Sequence, residues 1–134
     1  MGRLIATIVR AAWASMPIAA DVTPLLGTWR GTSTCVNLKI APACHDEVVV
    51  YEVRPAEKPG TATLQADKIV DGTRASMGEL DFAFDEKEGC WKSEFQNTKV
   101  HVVWCLVVNG TGMTGGLRDV PTGEPIRKVE LKHE

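Results

Sequence analysis

The residues with chemistry to offer are few and scattered. Gly110-Thr111-Gly112-Met113-Thr114-Gly115 spells G-x-G-x-x-G, a spacing that cradles a pyrophosphate when the next element is a helix whose N-terminus can hold it. The next residues, Gly116-Leu117-Arg118-Asp119-Val120-Pro121, have no helical pattern. A glycine-rich hairpin is expected there, and no cofactor. His45, His101 and His133 lie far apart with no pair at ligand spacing, so no metal is expected either. There is no Gly-x-Ser-x-Gly, and no Ser/His/Asp order that would activate a hydroxyl. Glu79, Asp81, Asp85, Glu86 and Glu88 cluster, and paired carboxylates can do acid–base work. These alternate outward from a strand into a turn, which makes a solvated face. No catalytic residue is assigned, and the chain reads as a non-enzyme.

The aromatic residues say more. Trp29, Phe82, Phe84, Trp91, Phe95 and Trp104 all fall on inward faces of strand-like runs. They either fill a core or line a pocket for a small apolar or aromatic molecule. Small residues inside (Gly31, Ser33, Ala83, Gly115) leave room, so a pocket is the expectation. Its wall candidates are Phe82, Phe84, Trp91, Trp104, Leu106 and Met113.

Four cysteines, Cys35, Cys44, Cys90 and Cys105, complete the set. They have neither Cys-x-x-Cys spacing nor a tight Cys/His group, so disulfides are preferred to a metal site. Three pairings are possible. The local one, Cys35 with Cys44 and Cys90 with Cys105, places each pair at the ends or flanks of successive strands. Each bridge would close a short loop and stabilise by about 2–4 kcal/mol.

The elements that must carry these residues have period two. The stretch 25–31, Leu-Leu-Gly-Thr-Trp-Arg-Gly, opens the first strand, over 28–36, with Trp29, Gly31, Ser33 and Cys35 on one face. Further runs are expected at 47–53, 61–70, 79–85, 90–96, 99–108, 111–117 and 126–132. Asp71-Gly72 marks a turn, and Asn109-Gly110 is a strong two-residue hairpin signal. Asn109-Gly110-Thr111 is also a glycosylation sequon, for which the turn is explanation enough. Eight runs joined by short connections predict an all-β, eight-stranded antiparallel up-and-down barrel, whose closure removes both exposed edges. In the run 99–108 both faces are apolar. The outward one, with Val103, Cys105 and Val107, must be covered by the N-terminal segment, a disulfide or a second copy of the chain.

Composition sets the outer bounds. At 134 residues, with 44% hydrophobic and 24% charged residues, the chain holds one domain. No apolar run is long enough to span a membrane as a helix. Residues 1–20 hold Arg3, an apolar run interrupted by Arg10, and no acid. They read as a signal peptide, with the barrel domain over 21–134 and a secreted or periplasmic location, in keeping with the cysteines. Without them, 13 basic residues face 17 acidic ones, a net charge of about −4. The charges form no basic cluster, so nucleic acid is not an expected partner.

Gly27-Thr28-Trp29 at the head of such a meander resembles the opening of lipocalins and their relatives, the fatty-acid-binding proteins, avidins and nitrobindins. The segments 27–35, 43–51 and 77–84 look most like small exported bacterial lipocalin-like proteins. The resemblance implies a closed barrel with Gly27 and Trp29 as structural residues. It also implies an arginine late in the barrel packed across the tryptophan, a role that falls on inward-facing Arg127, with Arg118 as competitor. The final strand holds Val129-Glu130-Leu131 where nitrobindins carry a His-x-His haem ligand run. The positions of the avidin biotin contacts hold about Gly31 and Cys35. Neither haem nor biotin is therefore implied. The reading is a non-enzymatic lipocalin-like barrel that binds a small apolar or aromatic ligand. The alternatives are a filled barrel that self-associates through an outer strand, and a barrel enzyme, which lacks an evident inward polar constellation.

Overall fold

The computed structural model describes Gly2 and residues 19–134. Apart from Gly2, Ala19 and Ala20, the expected leader lies outside the described residues. A short 3-10 helix, Thr23–Leu25, precedes eight strands: β1 Gly27–Cys35, β2 Glu47–Pro55, β3 Thr61–Val70, β4 Thr73–Asp85, β5 Cys90–Gln96, β6 His101–Asn109, β7 Gly112–Asp119 and β8 Pro125–His133. Each pairs antiparallel with its sequence neighbours, and β1 pairs with β8, which closes the barrel. Among the described residues no helix is long and apolar enough to cross a membrane.

Alternation decides what faces inward. Trp29, Gly31 and Ser33 of β1 stand opposite Tyr51, Val49 and Glu47 of β2, and opposite His133, Leu131 and Val129 of β8. Gly31 is required by proximity, because a Cβ there would run into the Glu130 carbonyl oxygen across the β1–β8 seam. Asp71 and Gly72 both take positive φ (50° and 76°), which lets two residues join β3 to β4.

One end of the barrel is filled. Leu25, Trp29, Ala62, Phe82, Leu106 and Met113 are there or just above it and are almost wholly buried. The 3-10 turn places Leu25 across the floor, and its carbonyl accepts a hydrogen bond from Trp29 Nε1 at 3.0 Å. This pairing matters because a buried indole N–H needs a partner.

Arg127 does not cover Trp29. It pairs with Cys35 at the far end of β1, six residues from the tryptophan. The ring against Trp29 is His133, edge-on with centroids 4.8 Å apart, and its Nε2 donates to the Leu26 carbonyl at 2.9 Å. Face parity was right for Arg127, but distance along the strand separates it from the tryptophan. Arg118 is on the outer wall, where both terminal nitrogens grip the Glu88 carboxylate at 3.1 and 3.2 Å.

The two disulfides are Cys35–Cys44 and Cys90–Cys105, the local pairing. Cys90–Cys105 bridges β5 and β6 on the outer wall and covers part of the apolar outer face of β6. Val103 is also buried, which leaves Val107 exposed on that face.

The β4–β5 ladder is the short one. It holds three residue pairs, Ala83–Lys92, Phe84–Trp91 and Asp85–Cys90, and β4 runs on from Thr73 to Phe82 bonded to β3 alone. This first half of β4 was not expected as strand. Thr73-Arg74-Ala75-Ser76-Met77-Gly78 carries no apolar alternation because it buries almost nothing, being exposed along most of its length.

Candidate functional site

The other end of the barrel is open. A cavity of about 280 Å³ lies there. Its apolar wall is built from inward positions of three strands: Leu64 and Ala66 of β3, Leu80 and Phe82 of β4, and, beyond β5, Trp104 and Leu106 of β6. The consecutive residues Met77, Gly78 and Glu79 also border the cavity, where β4 has no ladder to β5 and Met77 is the extra residue of a register shift against β3. Gly78 adopts φ 116° at that point, close to a register shift between Ala66 and Asp67 of β3. The backbone bends there at a position that disfavours any side chain.

The opposite wall is polar. Ser33 comes from β1, Glu47 and Tyr51 from β2, and Arg127 from β8. Arg127 is held by the protein: Nη1 donates to Ser33 Oγ at 2.8 Å and to the Ser33 carbonyl at 3.3 Å. Its Nη2 donates to the His45 carbonyl at 2.6 Å. Its side chain is 14% exposed and that of Glu47 20%, with Nη2 standing 3.6 Å from Glu47 Oε1. That separation gives a Coulombic pair without a hydrogen bond. Tyr51 is buried beside them. Burial pushes its phenol up to about 12, and the Glu47 charge adds to the rise, while Arg127 and a hydrogen bond from Ser33 act against it. At neutral pH Tyr51 is therefore an uncharged hydroxyl within the influence of the Glu47 carboxylate and the Arg127 guanidinium.

Of the six wall candidates, Phe82, Trp104 and Leu106 line this cavity. The other three do not. Met113 is fully buried in the filled end, and Trp91 is nearly so. Phe84 lies at the barrel's lower rim, 40% exposed, with its ring edge-on to Trp91 at 5.3 Å. There Phe84 and Trp91 border a shallow groove with Ala20, Asp21 and Pro24. The alternation put all six on inward faces, but an interior closed at one end gives a cavity only to the upper rungs. Phe95 is further up still, exposed at the mouth.

The expectation of no inward polar constellation is corrected. Glu47 opens β2 immediately before Val48-Val49-Val50, a run whose apolar residues hide which face is inward. Only the pairing of Glu47 with Ser33 and of Gly31 with Val49 settles it. The acids expected to be solvated do lie on the outer wall. Glu79, which also borders the cavity, pairs with Arg54 at 2.8 Å, and Asp81 accepts from Thr63 at 2.6 Å. Asp85 and Glu88 share Lys92 at 3.2 and 2.9 Å. Both carboxyls are held below their ordinary values, Asp85 chiefly by the Glu88 backbone N–H and Glu88 chiefly by Arg118.

No family model matches the chain, and no curated protein matches it.

Proposed function

We propose that this chain is a secreted, lipocalin-like carrier that holds one small molecule with an apolar or aromatic body in the open end of its barrel. The observation that carries the reading is the division of the interior. The lower rungs are packed solid around Trp29 and Met113, while the upper rungs leave a cavity of about 280 Å³ with an apolar wall and a polar one. Pockets of this make-up hold compact ligands of about one or two rings, the apolar wall supplying affinity and the polar groups orientation. The two disulfides support a location outside the reducing cytosol. Gly27-Thr28-Trp29 and the closed antiparallel barrel support the lipocalin likeness.

A catalytic reading has one observation in its favour: Glu47, an acid beside the cavity with Tyr51 next to it. A carrier returns its ligand unchanged, whereas an enzyme with Glu47 as base would convert it and lose turnover in Glu47→Gln. The carrier reading predicts that prodan, a two-ring naphthalene dye, binds with one-to-one stoichiometry and gains fluorescence. Leu80→Glu and Trp104→Ala should abolish or weaken that gain, and Phe84→Ala should leave it intact. An equal response from all three variants would place the dye elsewhere and refute the cavity as the binding site.

A further inference from the structure

We propose that the ligand carries a protonated amine directed at the Glu47 carboxylate. The proposal rests on the cavity reading above and adds the chemistry of its polar end. Arg127 is the obvious anchor for an anion, yet three of its five N–H donors are committed to Ser33 Oγ and to the carbonyls of Ser33 and His45, and its charge already faces Glu47. Those carbonyls belong to the backbone at the mouth ends of β1 and β2, so the guanidinium braces the rim. Glu47 is the reverse case. Its carboxylate faces the cavity, is mostly buried, and accepts no hydrogen bond among the described residues, with Arg127 at 3.6 Å as its counter-charge.

An acceptor left open inside a protein favours a ligand that brings a donor, and a charge-assisted donor most of all. The remaining charges agree. Glu79 also borders the cavity, but its carboxylate is paired with Arg54 at 2.8 Å, so Glu47 is the open acid there. Lys68 continues the inward face of β3 toward the mouth, opposite Val49, and is not part of the lining. A ligand carboxylate would add a second negative charge beside Glu47 at low dielectric. An ammonium gains there, while the apolar body that carries it can pack on Phe82 and Trp104 of the facing wall. Tyr51, neutral at physiological pH, can share the same head group without opposing its charge.

The test uses three probes of one shape: phenethylamine, phenethyl alcohol and hydrocinnamate, titrated calorimetrically into the intact protein. Phenethylamine should bind about tenfold or more tighter than the alcohol, with hydrocinnamate weakest. In Glu47→Gln the amine's advantage should disappear while the alcohol binds as before. If that variant does not fold, Glu47→Asp, which keeps the charge, should preserve the order of the three probes. Equal binding of amine and alcohol, or a preference for hydrocinnamate, would overturn the amine assignment and leave the cavity reading standing. Failure of all three to bind would overturn both.

Discussion

Tyr51 is the chain's one tyrosine, so its ionisation can be followed directly by tyrosinate absorbance in the near ultraviolet. In the unfolded chain it should titrate at its ordinary value of 10, and in the folded protein at about 12. The linkage comes from the proton count. Above pH 10 the unfolded state sheds this proton while the native state keeps it, so the native state binds more protons and stability falls as pH rises. The loss begins near 10 and is complete near 12. At about 1.4 kcal/mol per unit it amounts to roughly 3 kcal/mol, a sizeable share of a small domain's stability. Lys92, held protonated by Glu88 and Asp85, contributes a loss of the same sign as pH rises. The comparison that isolates the phenol is therefore Tyr51→Phe, which should flatten the alkaline decline and cost about 1 kcal/mol at neutral pH for the lost hydroxyl contact. Chemical denaturation at a series of alkaline pH values gives the stabilities, and absorbance gives the titration. A native tyrosinate transition near 10, or an unchanged alkaline slope in Tyr51→Phe, would show that Tyr51 is hydrated and the polar wall is not enclosed as described.

Other parts of the barrel have their own expected outcomes. Trp29→Ala should cost about 3–5 kcal/mol, since the indole is fully buried and its N–H is paired with Leu25. Trp104→Ala should cost clearly less because the ring is only partly buried against the cavity, as thermal unfolding of the two variants will report. Gly31→Ala should destabilise by about 3 kcal/mol or more, because the new methyl meets the Glu130 backbone across the closing seam; hydrogen exchange should show β1 and β8 opening first. Replacing Cys90 and Cys105 together by Ser opens a loop of sequence separation 15 and should cost about 3 kcal/mol by denaturant titration. On the acid side, Glu88 is held below its ordinary carboxyl value, so its contribution is present above that value and is lost as pH falls through the lowered one. Glu88→Gln should flatten the acid limb slightly, and added salt should remove the difference.

The barrel was legible because its signals are local. Leu80, Phe82 and Phe84 alternate with acids, Asp71-Gly72 makes the turn it marks, Asn109-Gly110 marks a hairpin whose two turn residues lie one position on at Gly110-Thr111, and all eight strands were found, with the cysteines at their ends or flanks. The first half of β4 was not legible because it lies along a gap in the ladder and buries little. The site was half legible for a related reason. Alternation tells which side of a strand faces inward and nothing about height in the barrel, so Met113 and Trp91 went to the same wall as Trp104. Height depends on the stagger between strands, which also moved Arg127 from Trp29 to Ser33 and Glu47. Glu47 was missed because the apolar run after it reads equally well with either face inward.

The most direct test of the carrier reading is native mass spectrometry of the protein recovered from its own host, set beside the denatured mass of the same sample. The account predicts one small extra mass per chain, lost on denaturation and carrying a basic nitrogen in its fragments. A clean unliganded mass that stays unliganded when amine probes are added, whether as monomers or as multimers, would contradict it.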